Sequence, residues 1–538
     1  MATFMSMRFT SCKLCGHPVR RGIVNVSKLS KRYKATKLKQ ADTLVWEPVI
    51  GLEIHAQIAA NAKLFSGASS QYGGAVNTQV SFLDSALPGT LPVLNKRCVE
   101  AGVTTAIALG CTINKVSRFD RKHYFYADLP AGYQITQQNH ALANNGEFKY
   151  FVYGKYETDC VEKSARILQL QLEQDSGKSL HDDIAGRSLI DLNRAGCALM
   201  EIVTAPDFHT GSDAKSFVRD IKMLLVTLGT CDGKMSEGSM RVDANISVHK
   251  PGQPLGVRSE VKNLNSLTSV KKAIDYEIER QISVLENGGE VINETRSFDV
   301  DTGETLPMRD KELKQDYRFM PEPNLPPLRL YYTTDKSPSG TQQRVYVDIL
   351  EKEIPMLPRD KRNYLIEKYG LNSYRANFIV NALAVELFDD LVKGKNIKSF
   401  SDFLMHQFLN LISQRDLTVA ESNVMSSDID KLYEWYQHRE LSLENIQKIV
   451  TGLIEKQGAS AREIAETLDL WQINDEKYLT DLCKQIIEEN PKHVAKYKRG
   501  KKRALDRLIG QAKQKSNGKA DLSTVNDILI KMMKTGAE

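Results

Sequence analysis

A histidine and several carboxylates occupy alternating positions in apolar runs. Glu53 and His55 lie in IGLEIHAQI (50–58), Glu173 and Asp175 in ARILQLQLEQD (165–175), Glu201 in LMEIV (199–203) and Asp243 in MRVDANISVH (240–249). An oxygen-rich set with one imidazole suits a hard divalent ion such as magnesium or manganese, and magnesium is commonly held by few carboxylates together with the phosphates of a substrate. Phosphoryl transfer fits that chemistry. Arg194, Arg241 and Lys262 supply cations that would offset charge developing on a transferred phosphoryl group.

These residues can act together only if strands carry them, because side chains alternate between the two faces of a strand. In IGLEIHAQI, Ile50, Leu52, Ile54, Ala56 and Ile58 line one face and Glu53, His55 and Gln57 the other. An apolar face then meets a core while a carboxylate and an imidazole stand together opposite it. The same alternation sets Leu168, Leu170, Leu172 and Gln174 against Gln169, Gln171, Glu173 and Asp175. It also sets Val242, Ala244, Ile246 and Val248 against Arg241, Asp243, Asn245, Ser247 and His249. The turn residues KPGQPLG (250–256) predict a hairpin into a further strand at 257–263. Asn95 caps a predicted helix that ends before Gly110, and 266–287 carries Leu267, Val270, Ile274, Ile278 and Leu285 at helical spacing ahead of Gly288 and Gly289.

Other chemistries lack their residues. Gly177-Lys178-Ser179 resembles the end of a phosphate-binding loop, but Leu172 stands where that motif needs a glycine. No GxSxG or HExxH occurs, which leaves nucleophilic hydrolysis weakly supported. Cys12 and Cys15 form a CxxC with no second pair to complete a zinc site, and the other six cysteines are scattered in the manner of reduced thiols.

The chain has 538 residues, 41% apolar and 26% charged, an ordinary globular composition with room for two to four domains. No run of 18 apolar residues is present to span a bilayer as a helix. The net charge of +6 hides two basic ends. Residues 1–41 hold ten Lys/Arg and no Asp/Glu, the composition of a mitochondrial presequence. Pro491–Lys519 holds eleven Lys/Arg and one acid, Asp506, whereas the rest of the chain outside these two segments has 52 basic and 66 acidic residues. Ala504, Leu505, Leu508, Ile509 and Ala512 fall at helical spacing inside this basic tail, so cations would coat a small helical core and meet nucleic-acid phosphates. Prolines 321, 323, 326 and 327 and the polar loop 336–342 interrupt regular structure, and beyond Tyr346 strand signals give way to helical spacing over 376–392, 400–413 and 429–455. QGAS (457–460) reads as a linker between helical stretches.

LIDLNRAGCALMEIV (189–203) resembles the signature of the GatB family, the B subunits of glutamyl-tRNA(Gln) amidotransferase. IGLEIH (50–55), FDRKHYFYADLPAGYQIT (119–136), LQLEQDSGKS (170–179), GSMRVDANIS (238–247), EVKNLNS (260–266) and DYRFMPEPNLPP (316–327) are similar to that family in order. The tail 489–520 looks like its tRNA-contacting domain. The resemblance implies an α+β fold: a mixed or antiparallel-sheet catalytic body over 42–350, an all-α helical domain over 351–456 and a small helical tail domain over 457–538, behind a transit peptide of residues 1–41. It implies that ATP phosphorylates the γ-carboxylate of glutamate on mischarged Glu-tRNA(Gln) and that ammonia then displaces the phosphate. The ammonia comes from a separate amidase (A) subunit, with a small third subunit completing a heterotrimer in the mitochondrial matrix.

Carried over by position, the family's metal and kinase positions fall on Glu53, His55, Glu173, Gln174 and Glu201: magnesium is expected at His55, Glu173, Gln174 and Glu201, and catalytic roles at Glu53, Glu173 and Glu201, joined by the cations Arg194, Arg241 and Lys262. Gln174 replaces a second glutamate usual in the family, Gln171 a common histidine and Ala198 a common proline. An uncharged Gln174 also raises the alternative of a non-catalytic tRNA-binding scaffold. Contacts to tRNA are expected from Lys498, Arg499, Lys501, Lys502, Arg503 and Arg507.

Overall fold

The computed structural model describes residues 46–153, 160–182, 184–308, 318–335, 343–415, 417–456 and 458–535. The presequence expected over 1–41, Cys12 and Cys15, and the loop at 336–342 lie outside these residues.

The alternating runs become strands. The chain enters through β1 (Glu47–Gln57), crosses helix α1 (Lys96–Ala108) and passes along the short strands β2 (Thr112–Ile113) and β3 (Val116–Ser117). Next come β4 (Asp120–His123), β5 (Tyr133–Thr136), the long pair β6 (Ala143–Tyr153) and β7 (Cys160–Gln174), the hairpin β8 (Lys178–Asp182) and β9 (Arg187–Asp191), and β10 (Ala198–Thr204). Helix α2 (Gly211–Leu228) leads to β11 (Met240–His249) and β12 (Ser259–Leu264), the predicted hairpin. Helix α3 (Leu267–Glu286) then precedes β13 (Thr295–Phe298), β14 (Thr305–Pro307), β15 (Arg318–Pro321) and β16 (Leu328–Arg329). Nine strands form one sheet in the order β14-β13-β12-β11-β1-β10-β7-β6-β2, with β1 at its centre. Within this sheet, among the described residues, only β12 and β13 pair in parallel, across the α3 crossover.

Register brings the apolar sets into one layer. Ile54 faces Val242 and Ile202, Ala56 faces Met240 and Met200, and Leu172 lies opposite Met200. Helices α1, α2 and α3 cover this layer with Val99, Val103, Phe217, Ile221, Val270 and Ile274, all buried. Burial of each large aliphatic or aromatic side chain there contributes about 1.5–3 kcal/mol. Asn95 caps α1 as the sequence predicts, and Ser266 caps α3, each accepting a backbone N–H through its side chain. Glycine at 102 brings α1 close to the sheet: a Cβ there would lie 2.7 Å from Leu142 and 3.1 Å from Leu172.

Strand β7 departs from simple alternation. Val203 of β10 faces Gln169 while Thr204 faces Ile167, so Leu168 is an extra residue, a bulge that reverses the faces. Ala165 and Ile167 are therefore buried with Leu170 and Leu172, and Leu168, expected on that apolar face, is 47% exposed.

Beyond the sheet, helices enclose two further cores. The first runs from Leu365 to Leu470 and the second from Leu479 to Met533. Two of the expected helical stretches are each broken by a residue in the left-handed region: Leu383 (φ 53°) parts Ser373–Asn381 from Val385–Leu391, and Arg439 (φ 58°) parts Ser426–Gln437 from Leu443–Glu455. The linker read at 457–460 proves to hold a turn and a cap within one core. Gly458 has positive φ, Ser460 forms a capping box with Glu463 on the helix Ala461–Thr467, and Ala461, Ile464, Ala465 and Leu470 join the preceding core. Glycine and serine serve turns and caps as readily as linkers, and Gly452 leaves room for Ile464. None of the described helices is long and apolar enough to cross a membrane.

Candidate active site

On the face of the sheet opposite the helices, register aligns Arg241, His55, Glu201 and Gln171 in one row across β11, β1, β10 and β7. Asp243 and Glu53 form the next row on one side, and Glu173 lies opposite Leu199 on the other. His55 Nε2 is 3.5 Å from Glu53 Oε1 and 4.0 Å from Glu201 Oε2. One ligand atom from each of Glu53, His55 and Glu201 lies within 4.8 Å of the others. Gln171 Nε2 donates to Glu201 Oε2 at 2.7 Å. Lys122 Nζ, from β4, lies 3.7 Å from Glu173 Oε2, a buried oxygen with no hydrogen-bond partner among the described residues.

Burial raises the Glu201 carboxyl well above its ordinary pKa, and the charges of Glu173 and Glu53 raise it further. Glu53 moves the other way. Burial pushes it up, but His55, the hydrogen bond with Glu201, Lys122 and Lys262 together hold it below the usual value. The two carboxyls are hydrogen-bonded to each other, so their titrations are linked. Acids crowded beside an imidazole, with Glu201 buried and a Glu173 oxygen lacking a hydrogen-bond partner among the described residues, fit a hard divalent cation.

The basic residues divide. Arg194 donates to Asp175 Oδ2 from Nε (3.0 Å) and Nη2 (2.6 Å), and Arg241 Nη2 donates to Asp175 Oδ1 at 2.9 Å. Burial works to raise Asp175, but Arg241 and Arg194 outweigh it and hold the carboxyl below its ordinary value. Asp175 is thus a clamp for two guanidiniums and is not free to serve as a metal ligand. Arg241 Nε is buried without a hydrogen-bond partner among the described residues. Asp243 Oδ1 accepts the Asn263 N–H at 2.7 Å, where a bulge in β12 also places Lys262 close enough to act on Glu53. Lys63, fully buried, donates to Asp84 at 3.1 Å and to the Ala195 carbonyl at 2.7 Å, which fixes the loop that carries Arg194.

Gln174 is not brought into the Glu53–His55–Glu201 group. Its side-chain oxygen accepts the Ile135 N–H at 3.0 Å, and its backbone carbonyl accepts from Gln134 Nε2 at 2.6 Å. Gln137 Oε1 accepts the Leu172 N–H at 3.1 Å. These glutamines fasten β5 to β7, and with it the small sheet β15-β4-β5 that carries Lys122. Arg121 braces the same sheet, forked onto buried Glu322 (2.6 and 3.1 Å) and lying 4.4 Å from the Tyr133 ring centroid. Lys122 escapes a reading of the sequence because DRKH is short and charged throughout, with no apolar face to orient it. The Gly177-Lys178-Ser179 segment opens a hairpin strand, and Ser179 donates to Asp128 at 2.9 Å, which agrees with its exclusion as a phosphate loop.

In the tail, Lys498, Arg499, Lys501, Lys502, Arg503 and Arg507 are all exposed around the turn between helices Pro491–Lys498 and Arg503–Lys515, with Gly500 at φ 83°. Lys513 and Lys515 are paired with Glu444 and Glu489 at 2.8 and 2.6 Å, and Lys519 with Asp469.

Comparison with known proteins bears on both regions. The family described as the GatB/GatE catalytic domain matches residues 48–334, and the GatB domain matches 386–533. The chain is 47% identical over 494 residues to the B subunit of the mitochondrial glutamyl-tRNA(Gln) amidotransferase of Homo sapiens, covering 91% of this chain and 88% of the human protein. It is 44% identical over 517 residues to the Drosophila melanogaster protein of the same name, covering 95% and 99%. It is 41% identical over 491 residues to the B subunit of the aspartyl/glutamyl-tRNA(Asn/Gln) amidotransferase of Rickettsia canadensis, covering 91% and 98%. With the catalytic-domain match spanning more than half of its length and relatives aligned over nearly all of it, the chain belongs to the GatB family.

Proposed function

We propose that this chain is the B subunit of a glutamyl-tRNA(Gln) amidotransferase, which activates and amidates the glutamate carried on mischarged Glu-tRNA(Gln). A carboxylate does not react with ammonia unaided. First, a γ-carboxylate oxygen bonds to the γ-phosphorus of ATP while the bond to ADP breaks. Ammonia then bonds to the carbonyl carbon of the acyl phosphate, the C–O bond to phosphate breaks, the nitrogen sheds a proton, and Gln-tRNA(Gln) results. Glu53, His55 and Glu201 are the residues to hold Mg2+, with Glu173 beside them. Bound there, the ion would offset charge on the phosphates during transfer. Lys122, Lys262, Arg194 and Arg241 edge the same face and would stabilise the transferring group without reorganising at the moment of reaction.

The observation that carries this reading is the partly buried carboxylate–histidine group, with cations at its edge, in a chain of the GatB family. Gln174 gives no support to a scaffold without chemistry, because its carbonyl oxygen is engaged by β5 and its lack of charge takes nothing from the group. The ammonia would come from an amidase (A) subunit, since this chain lacks the serine motif for glutamine hydrolysis; a small third subunit completes the complex. The acid-free leader, and the mitochondrial names of the human and fly relatives, support action in the mitochondrial matrix.

The test is the purified complex given Glu-tRNA(Gln), ATP and glutamine. ATP hydrolysis stimulated by the charged tRNA and coupled to glutamine formation is expected, and Glu53→Ala or Glu201→Ala should stop amidation while tRNA binding persists. Amidation undiminished in both variants would favour the scaffold. Intact tRNA binding with neither stimulated hydrolysis nor conversion would sink the enzymatic reading.

A further inference from the structure

Gln171 is 1% exposed, and every polar function of its side chain is engaged. Nε2 donates to Glu201 Oε2 at 2.7 Å and to Thr136 Oγ1 at 3.2 Å, and Oε1 accepts from Gln169 Nε2 at 2.6 Å. The bond from Gln169 determines which end of the amide faces Glu201. Reversing the amide would set its oxygen against a carboxyl oxygen and its NH2 against the Gln169 donor. The amide is neutral at every pH and, held by Gln169, donates towards Glu201, so it occupies one carboxylate oxygen.

We propose that Gln171 is a positioning residue that makes Glu201 a monodentate ligand and thereby favours magnesium-sized ions over calcium. The proposal rests on the reading that Glu53, His55 and Glu201 hold Mg2+. A small octahedral ion takes single oxygens at short, near-ideal geometry, whereas calcium gains from bidentate carboxylates and a higher coordination number. A carboxylate with one oxygen tied to an amide offers the first and withholds the second. The ordinary alternative is a satisfied core glutamine that only joins β7 to β5; such a role would change stability and leave ion preference alone.

The experiment uses the assembled complex, with Mn2+ binding followed by electron paramagnetic resonance and Ca2+ by competition. In Gln171→Met, which roughly conserves volume and removes the donor, Mn2+ affinity should fall about 10- to 100-fold, the usual effect of losing a partner that orients a metal ligand. Ca2+ affinity should fall less, so that the preference narrows. Gln171→His, which restores a ring N–H donor, should recover the preference. Gln169→Leu, which frees the amide to turn without touching Glu201, should shift it the same way by a smaller factor. An unchanged Mn2+/Ca2+ ratio in both Gln171→Met and Gln169→Leu would overturn the proposal, whatever their thermal stability. If Glu201→Ala also left Mn2+ binding unchanged, the metal reading itself would fail. If Glu201→Ala abolished binding while the ratio held in the glutamine variants, only the role of Gln171 would fall.

Discussion

Single residues on the open face of the sheet are tuned by neighbours that belong to other strands. Lys122 reaches Glu173 from a different sheet and lowers the cost of the charge on Glu53 and Glu201. Lys122→Met should therefore depress kcat/KM for amidation by about 10²-fold, the scale of losing one preorganised charge partner, with tRNA affinity unchanged in a binding assay. A second buried acid serves structure. Glu277 accepts from Arg280 at 2.9 and 2.6 Å, from Gln281 at 2.9 Å and from Thr305 at 2.7 Å, and Arg296 lies 3.4 Å away. Burial pushes its pKa up, but these hydrogen bonds outweigh it and hold the carboxyl below its ordinary value. Such a group binds fewer protons folded than unfolded, so its stabilisation is present above the unfolded pKa and is lost as pH falls through the folded one. Glu277→Ala removes one of the two acids paired with buried Arg296, Glu294 being the other, leaves buried donors unsatisfied and should cost about 1–3 kcal/mol in urea unfolding at pH 7. That difference from the wild type should shrink below about pH 4, where the unfolded carboxyl also takes up its proton.

At the scale of elements, the active face exists because α1, α2 and α3 close the other face, and Gly102 of α1 packs tightly against Leu142 and Leu172. Gly102→Val should overpack this contact and cost about 1–3 kcal/mol, and Leu172→Ala should leave a cavity worth about 2–5 kcal/mol. Because the two sites touch, the double variant should be more stable than the sum of the single losses, as denaturation midpoints at constant m would show. Element type was legible from pattern: β1, β11, α1 and α3 follow directly from period-two spacing, helical spacing and the Asn95 cap. The bulge at Leu168 was not, because an extra residue in one strand is defined only by the register of the strand beside it.

Across the whole molecule, an acidic body is joined to a basic helical tail whose exposed cations cluster at one turn. Neutralising Lys501, Lys502 and Arg503 to alanine should weaken tRNA binding and reduce the slope of log K against log salt by about one for each phosphate no longer engaged. An unchanged slope would place the phosphate-binding cations elsewhere. The turnover rate at saturating tRNA should hold, since these residues lie in a separate core from the Glu53–His55–Glu201 group. Which tail cations are held by acids of other elements was not readable. Lys513, Lys515 and Lys519 share the composition of the run but are tied to Glu444, Glu489 and Asp469, partners between 26 and 69 residues distant.

The amino-acid sequence by itself determined the mixed sheet followed by helices, the apolar and polar faces of the central strands, and Glu53, His55 and Glu201 as residues with one chemistry. Those properties depend on local periodicity and residue type. Tertiary structure alone decided that Asp175 clamps two arginines, that Gln174 turns to β5, that Gln171 holds Glu201, and that Lys122 completes the electrostatics. Each of these is a contact across strands, set by register, bulge and the docking of one sheet on another, and a side chain's neighbours across strands are invisible to the spacing within its own.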